Sequence, residues 1–224
     1  MNERAALARS EGDIVSHSPF DQPAQTWDAR YSTPDYVFGT APNAFLASQR
    51  HLLMPGMRAL AVADGEGRNS VWLAQQGLAV DAFDVSPVGV DKARRLAADA
   101  GVMVNFHVRD CDAWNWQAGT YDLIAAIFVQ FADPALRARL FANMVASLRP
   151  GGYLILQGYT PKQLEFNTGG PGRLDHLYTE DMLRDAFHEL DILSLRAWEE
   201  ELREGKRHNG PSALVGMVAQ RPVR

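Results

Sequence analysis

The chain has 224 residues, a formal net charge of −5 and a hydrophobic fraction of 46%, values that are typical of a globular domain with a sizeable core. The acidic balance and the lack of long basic runs argue against nucleic acid or an anionic membrane surface as a partner. One cysteine, Cys111, excludes an intramolecular disulfide, and no apolar stretch approaches the roughly 18 residues of a membrane span. We expect a cytoplasmic protein, a monomer or a homodimer, with a small-molecule partner.

The N-terminal region divides into two parts. Residues 1–18 mix charges with small residues and are expected to form a flexible tail, which leaves 19–224 as a single domain. Its first part, 19–54, is expected to be an arm and a helix that cover the site. The arm is rich in aromatic residues: Trp27, Tyr31, Tyr36, Phe38 and Phe45. They follow no helical or strand period, so they predict a loop that lies over a site or forms a separate hydrophobic cluster.

Two helix signals follow the aromatic residues. Pro34, Gly39 and Pro42 interrupt any regular element in the aromatic stretch. Asn43 is expected to cap a helix that starts near Ala44 and ends before Pro55.

Beyond Pro55 the sequence alternates between apolar runs and helix-like segments. The predicted strands are 58–63, 79–85, 103–110, 121–129 and 153–159. The predicted helices are 67–76, 87–100, with Ser86 as its cap, and 134–148. Strands separated by helices at this spacing are typical of an α/β fold with a doubly wound, mostly parallel sheet.

The C-terminal third has a different character. Residues 160–178 are rich in Gly, Pro and Thr and predict a long functional loop, followed by a helix that Thr179 caps. Two strands, 189–200 and 212–220, are expected to close a seven-stranded sheet as an antiparallel hairpin. The glutamates of this region, including Glu204, are expected to form a solvated face.

A glycine-rich turn follows the first strand in the stretch ALAVADGEGRNSVWLA, residues 59–74. Gly65 and Gly67 permit a sharp turn and close approach of a ligand, and Asp84 follows at the spacing of a ribose-binding acid. Asp64 and Glu66 would repel the pyrophosphate of a nicotinamide cofactor. S-adenosylmethionine has no phosphate and carries an ammonium and a sulfonium, so the acidic loop favours it.

Several stretches in the same order extend this interpretation: WDARYSTPDYVFGTAPNAFL, GEGRNSVWLAQQGLAVDAFDVSPVGVDKA, RDCDAW, YDLIAAIFVQF, LRPGGYLILQGYTPKQL and EGKRHNGPSALV. With them the chain resembles the class I S-adenosylmethionine-dependent methyltransferases over roughly residues 26–221. Within that class it is most similar to the small bacterial tellurite-resistance and thiopurine-type methyltransferases. The resemblance implies a Rossmann-like methyltransferase fold, S-adenosyl-L-methionine as the cofactor and methyl transfer as the activity.

The resemblance also implies a set of cofactor-binding residues. Gly65, Gly67 and Asn69 would shape the methionine side, and Asp84 would hold the ribose. Asp110, or Asp112 beside it, would accept a hydrogen bond from the adenine amino group. The full set is Arg30, Tyr31, Ala63, Asp64, Gly65, Gly67, Asn69, Asp84, Val85, Asp110, Cys111, Phe128 and Gln130.

Two positions depart from the family pattern. Ala61 stands where the family commonly has an acid, and Ala63 stands where it commonly has the first glycine. We hypothesise that Asp64 takes over part of the missing acid's attraction for the methionine ammonium. The departures also leave open a catalytically impaired protein that binds S-adenosylmethionine or S-adenosylhomocysteine.

No general base is evident in the matched motifs, so the catalytic residues are unknown from the sequence. Gln130, Tyr159 and His208 are the candidates nearest the acceptor. In-line displacement needs no base when the nucleophile is already deprotonated, which favours a small, soft thiol or chalcogen acceptor. The histidines show no metal-ligand spacing, and no metal is expected. A nicotinamide-dependent oxidoreductase is the remaining, less favoured alternative.

Overall fold

The structure is a computed structural model that describes residues 22–205 and 207–223. The predicted tail, 1–18, lies outside these residues. The strands are β1 (Arg58–Val62), β2 (Ala79–Asp84), β3 (Asn105–Val108), β4 (Tyr121–Ile127), β5 (Leu148–Tyr159), β6 (Asp191–Glu204) and β7 (His208–Gln220). The α-helices are α1 (Pro23–Tyr31), α2 (Ala44–Ser48), α3 (Arg68–Gln75), α4 (Pro87–Asp99), α5 (Pro134–Ser147), α6 (Gln163–Phe166) and α7 (Glu180–Ala186). Short 3₁₀ turns cover Arg50–Leu52 and Leu174–His176.

The seven strands form one sheet in the order β3-β2-β1-β4-β5-β7-β6. The first five strands of that order pair in parallel, whereas β7 is antiparallel to both β5 and β6. The predicted fold, a doubly wound sheet with a C-terminal antiparallel hairpin, is therefore confirmed. The chain reverses its direction of winding between β1 and β4, which is where open α/β sheets bind ligands.

Alternate side chains of the central strands fill two cores, one on each face of the sheet. On β4, Leu123 belongs to the cluster that contains Leu73 of α3, and Ile124 belongs to the opposite cluster with Leu140 of α5. All four are essentially inaccessible to solvent. Burial on both faces explains why this strand is apolar throughout. Within residues 22–205 and 207–223, no helix combines the length and apolar character that crossing a bilayer requires.

Three predicted helix caps are present. The side chains of Asn43, Ser86 and Thr179 accept hydrogen bonds from backbone N–H groups at the starts of α2, α4 and α7. Each bond satisfies a donor that the first helical turn leaves unpaired. The helix at Ala44 is shorter than expected, because it passes into a 3₁₀ turn after Ser48.

Two expectations about irregular segments are wrong. The beginning of the predicted aromatic loop is helical, since α1 starts at Pro23 and runs to Tyr31. Proline suits a first helical turn, and Pro34 lies beyond the end of this helix. The predicted connector before residue 212 is largely strand, because β6 continues to Glu204 and β7 begins at His208, with Glu204 and His208 paired across the hairpin.

Candidate cofactor and acceptor site

A cavity of about 540 Å³ opens at the carboxyl ends of β1, β2 and β4, where the winding of the sheet reverses. This volume lies in the range of small-molecule sites. Its wall includes the following predicted cofactor residues: Tyr31, Ala63, Asp64, Gly65, Asn69, Asp84, Val85, Asp110, Cys111 and Phe128. It also includes residues that the sequence did not single out: Arg68, Phe83, Arg109, Phe131, Asp133, Leu136 and His176.

The loop after β1 has a left-handed backbone at three positions, with φ values of 48° at Ala63, 62° at Gly65 and 92° at Gly67. A Cβ atom on Gly65 would lie 2.6 Å from the Tyr31 hydroxyl, and one on Gly67 would lie 2.6 Å from the Ala93 Cβ. Both glycines are therefore required by close contacts as well as by φ. Gly67 packs α3 against α4 and does not line the cavity.

Asp64 and Asp84 present two carboxyl groups to the cavity. Asp64 accepts hydrogen bonds from the Ser70 hydroxyl and, at 3.3 Å, from the Ser70 N–H. Asp84 accepts from the Gly65 N–H and from the Ser86 N–H, both at 2.9 Å. Burial raises the pKa of Asp64 to about 7 and that of Asp84 to about 6, although these hydrogen bonds oppose the shift. A cationic ligand would offset the cost of ionising both groups.

The start of α3 is unsuited to a phosphate. In dinucleotide-binding folds this helix terminus offers free N–H groups to a pyrophosphate. Here the Asp64 carboxylate already accepts from the Ser70 N–H in the first turns of α3. The residues present therefore fit a cofactor without phosphate.

Glu66 does not contribute to this acidity. The expectation that it faces the cofactor is wrong, since its carboxylate accepts from the Val37 N–H at 2.7 Å and pairs with Lys92. Both charged side chains are buried. The acidic loop thus has one carboxylate toward the cavity and one toward the N-terminal arm.

The far end of the cavity, beyond β2 and β3, is lined by Phe83, Val85, Asp110 and Cys111. Asp110 is exposed and accepts a hydrogen bond from the Ala113 N–H at 2.7 Å. Burial, reinforced by the neighbouring Asp110, raises the pKa of Cys111 to about 12, so the thiol is not a nucleophile near neutral pH. Trp114 stacks on Phe83 with ring centroids 4.7 Å apart and supports this end from outside the wall.

The N-terminal arm covers the cavity with an aromatic cluster. Trp27 stacks on Tyr31 at 5.5 Å, and the edge of Phe38 meets Tyr31 at 6.4 Å. All three side chains line the cavity. Arg30, a predicted cofactor residue, lies outside the wall, with its guanidinium 4.6 Å from the Trp27 ring centroid.

The three catalytic candidates lie in different surroundings. His208 lines the cavity, and its ring lies 4.5 Å from Phe38 and 4.3 Å from Phe128 between centroids. Gln130 is buried behind the wall, where its Oε1 accepts from the Tyr159 N–H at 2.6 Å. Tyr159 is also buried, and its ring packs on Phe128 at 4.7 Å. Only His208 of the three reaches the cavity.

The chemistry of His208 follows from its burial. Desolvation, with the nearby Arg68 cation, lowers the pKa of His208 to about 3, so the imidazole is neutral. Its Nδ1 has no hydrogen-bond partner among the described residues and lies 4.0 Å from a Glu204 oxygen. Glu204 is consequently no part of a solvated face, which corrects the expectation for it.

Strain concentrates beside this ring. Phe128, directly after β4, has φ 57°, a left-handed value that is rare for a bulky residue. The turn directs Phe128 into the cavity and Gln130 behind it. Regular strand alternation cannot foresee this reversal, which is why Gln130 and Phe128 were expected to share one surface. Among the described residues, no group of three or more His, Cys, Asp or Glu side chains is arranged to hold a metal ion.

Comparison with known proteins gives an independent result. Residues 59–152 match the family described as Methyltransferase domain. The ribosomal protein L11 methyltransferase of Symbiobacterium thermophilum is 31% identical over 56% of this chain and 41% of its own length. The ubiquinone biosynthesis O-methyltransferase of Methylocella silvestris is 29% identical over 45% of this chain and 39% of its own. The chain thus spans about two fifths of these curated relatives.

Solved structures share the fold. A structure reported for the conversion of a disulfide bond into a thioacetal group during echinomycin biosynthesis has a TM-score of 0.72 at 18% identity, covering 90% of this chain and 92% of that one. The N-methyltransferase NodS of Bradyrhizobium japonicum, in complex with S-adenosyl-L-homocysteine, gives 0.68 at 16%, covering 90% and 100%. TehB of Haemophilus influenzae gives 0.67 at 18%, covering 88% and 66%.

Residues 59–152 therefore match a methyltransferase domain, in agreement with the resemblance seen in the sequence. S-adenosylmethionine is the cofactor of this domain, and the phosphate-free, doubly acidic cavity fits it. The solved structures compared above are all less than 25% identical to this chain, so they show the shared fold and do not identify the methyl acceptor.

Proposed function

We propose that the protein transfers the methyl group of S-adenosylmethionine to a small, soft acceptor, a thiol or a chalcogen compound, by in-line displacement. The observation that carries the proposal is the composition of one continuous cavity wall. It joins the carboxylates of Asp64 and Asp84 to an aromatic end whose imidazole, His208, is neutral. The membership of the chain in a tellurite-resistance or thiopurine-type group is part of this proposal, and the likeness to TehB is in keeping with it.

The cofactor residues act through charge and hydrogen bonding. Asp64 would attract the methionine ammonium, beside Gly65 and Asn69. Asp84, at the end of β2, would accept from the ribose hydroxyls, as acids at this position do in related nucleotide folds. Asp110 and the backbone of Cys111 would meet the adenine. The arm, residues 19–54 with its aromatic cluster, would cover the bound cofactor within a single domain, 19–224.

The methyl group of the bound cofactor is an electrophile on a cationic sulfur. Around it, the side chains of Tyr31, Phe38 and Phe128 line the cavity and would exclude water, and aromatic rings near a cation favour positive charge. Alignment of the reacting atoms in such a site supplies roughly 7 to 11 kcal/mol in well-oriented systems. Methyl transfer to an acceptor that is already deprotonated does not require a protein side chain to gain or lose a proton.

The neutral state of His208 selects the kind of acceptor. With a pKa of about 3, the imidazole does not hold a proton taken from an acceptor near neutral pH. A hydroxyl or an ammonium would therefore lack a strong base at this end of the cavity. A thiol with a low pKa or a chalcogen oxyanion is deprotonated before it binds, so it needs none.

An assay of S-adenosylhomocysteine release over a panel of acceptors tests the proposal. The panel contains small thiols, selenite and tellurite on one side and catechols, primary amines and transfer RNA on the other. Turnover with members of the first group alone supports the proposal. Turnover only with the second group contradicts the choice of acceptor. If the cofactor binds and no acceptor is methylated, the alternative of a catalytically impaired binding protein, suggested by Ala61 and Ala63, replaces it.

A further inference from the structure

Three segments that enclose the cavity meet at one buried ion pair: the glycine loop, the hairpin of β6 and β7, and the N-terminal arm. Arg68, which directly follows the glycine loop, lies 2.8 Å from Glu204, the last residue of β6. Their side chains are only 7% and 10% exposed. Such a pair is costly to break, because each charge alone would remain buried without a partner.

Glu204 also holds the N-terminal arm. Its carboxylate accepts from the Ala44 N–H at 2.9 Å and from the Asn43 side-chain amide at 3.1 and 3.2 Å. Arg68 in turn donates to the Phe38 carbonyl at 3.3 Å. A parallel link runs from the Asn43 N–H to Asn69 Oδ1 at 3.0 Å. The glycine loop and the arm are therefore bonded through the same few groups.

The same pair determines the position of the acceptor-side wall. Glu204 faces His208 across the hairpin, and one of its oxygens lies 4.0 Å from His208 Nδ1. The next residue, Gly205, packs so closely on the arm that a Cβ atom there would lie 2.5 Å from the Phe38 backbone. A displacement of Glu204 would therefore move His208 and Phe38, which both line the cavity.

We propose that Arg68 and Glu204 form a positioning pair that couples cofactor binding at the glycine loop to the acceptor-side wall made by Phe38 and His208. This inference rests on the proposed function. Glu204 does not line the cavity and touches no reacting atom, so its part is to hold other residues in place. When a ligand fixes the loop at Gly65 to Asn69, the buried pair transmits that restraint to the hairpin.

Hydrogen exchange of the full chain, with S-adenosylhomocysteine as the probe, tests the coupling. In the wild-type protein the ligand should slow exchange in residues 64–70 and also in the hairpin segment 198–205. In Glu204→Gln it should still slow exchange in 64–70, with affinity within about threefold of wild type, while the hairpin loses its ligand-dependent protection. The control is Glu201→Gln, because Glu201 lies on the same strand with 60% of its side chain exposed.

A double variant serves as a control in case the single variant misfolds. Arg68→Gln/Glu204→Gln leaves no unpaired buried charge, so it should fold better than Glu204→Gln and should equally lack hairpin protection. Ligand-dependent protection of 198–205 in either variant, equal to that of wild type, overturns the coupling and leaves the proposed function intact. Absence of any ligand effect in the wild-type protein, at 64–70 included, overturns both.

Discussion

Lys92 and Glu66 form an ion pair in which 4% and 3% of the two side chains are exposed, and this pair joins α4 to the glycine loop beneath the N-terminal arm. The Lys92 ammonium also donates to the carbonyls of Tyr31, Thr33 and Asp35 at 3.2, 3.0 and 2.6 Å. Glu66 accepts from the N–H of Val37, further along the same arm. A residue of the glycine loop and a residue of α4 together hold the segment that covers the cavity.

Removal of the Lys92 charge should destabilise the protein. We expect Lys92→Met to lower the free energy of unfolding by about 3 to 5 kcal/mol, because Glu66 would stay buried without its partner. Denaturant titration measures this loss. The matched control is Lys162→Met, whose partner Glu199 is about half exposed, and there the loss of stability should be much smaller because solvent screens the pair. Adding Glu66→Gln to Lys92→Met should recover part of the loss, and no recovery would argue against the pair.

The raised pKa of Asp64, about 7 instead of 3.8, makes stability depend on pH. The folded protein keeps this carboxyl protonated where the unfolded chain has lost the proton, so the free energy of unfolding falls as pH rises from about 4 to 7. Asp64→Asn should therefore raise stability at pH 8 by about 1 to 2 kcal/mol in the absence of ligand. Thermal unfolding at pH 5 and pH 8 measures it, with the exposed Asp91→Asn as control.

The same carboxyl should give cofactor binding a pH dependence of opposite sign. Affinity for S-adenosylhomocysteine should increase from pH 5.5 to about 7.5, because ionised Asp64 attracts the ligand's ammonium and ionised Asp84 accepts more strongly from its ribose hydroxyls. In Asp64→Asn the upper part of this increase should disappear. An affinity that is flat with pH in wild type would contradict the role given to Asp64.

Asp84→Asn should weaken S-adenosylhomocysteine binding by roughly 10- to 100-fold. Asp84 accepts from two backbone N–H groups, at Gly65 and Ser86, and the amide's NH₂ would oppose one of them. Calorimetric titration measures the change. Asp191→Asn, at the exposed start of β6, should bind as wild type does. Equal affinity in Asp84→Asn would remove Asp84 from the site.

Ala63→Gly should stabilise the protein or leave it unchanged, although glycine usually costs stability. Ala63 has φ 48°, where a Cβ atom costs roughly 1 to 2 kcal/mol. Ala63→Val should be clearly destabilising, because β-branched residues avoid this conformation. Chemical denaturation of the two variants compares them. A loss of stability in Ala63→Gly as large as in Ala63→Val would show that the backbone there is not strained.

Local sequence signals were sufficient for the sheet and for the caps. The apolar runs placed β1, β2 and β4 to within a few residues, and Asn43, Ser86 and Thr179 cap helices as predicted. These features depend on residues close together in the chain. The spacing between the glycines and Asp84 likewise predicted a shared site, and Asp64 and Asp84 line the same cavity.

Features that depend on distant contacts were not predicted. Glu66 forms an ion pair with Lys92, and Glu204 forms one with Arg68. In each pair the buried cation is remote in sequence from the glutamate. The left-handed turn at Phe128 separates Gln130 from the cavity, and the residue pattern of β4 does not predict this turn. His176 lines the cavity from the loop after β5, a loop that was expected to be functional but in which the sequence did not single out this histidine.

Parallel calorimetric titrations of the wild-type protein with S-adenosylhomocysteine and with NAD test most directly the claim that the cavity is built for a cationic, phosphate-free cofactor. The account predicts binding of S-adenosylhomocysteine with a dissociation constant of roughly micromolar order and no measurable heat with NAD. Binding of NAD, or no binding of S-adenosylhomocysteine, would contradict it.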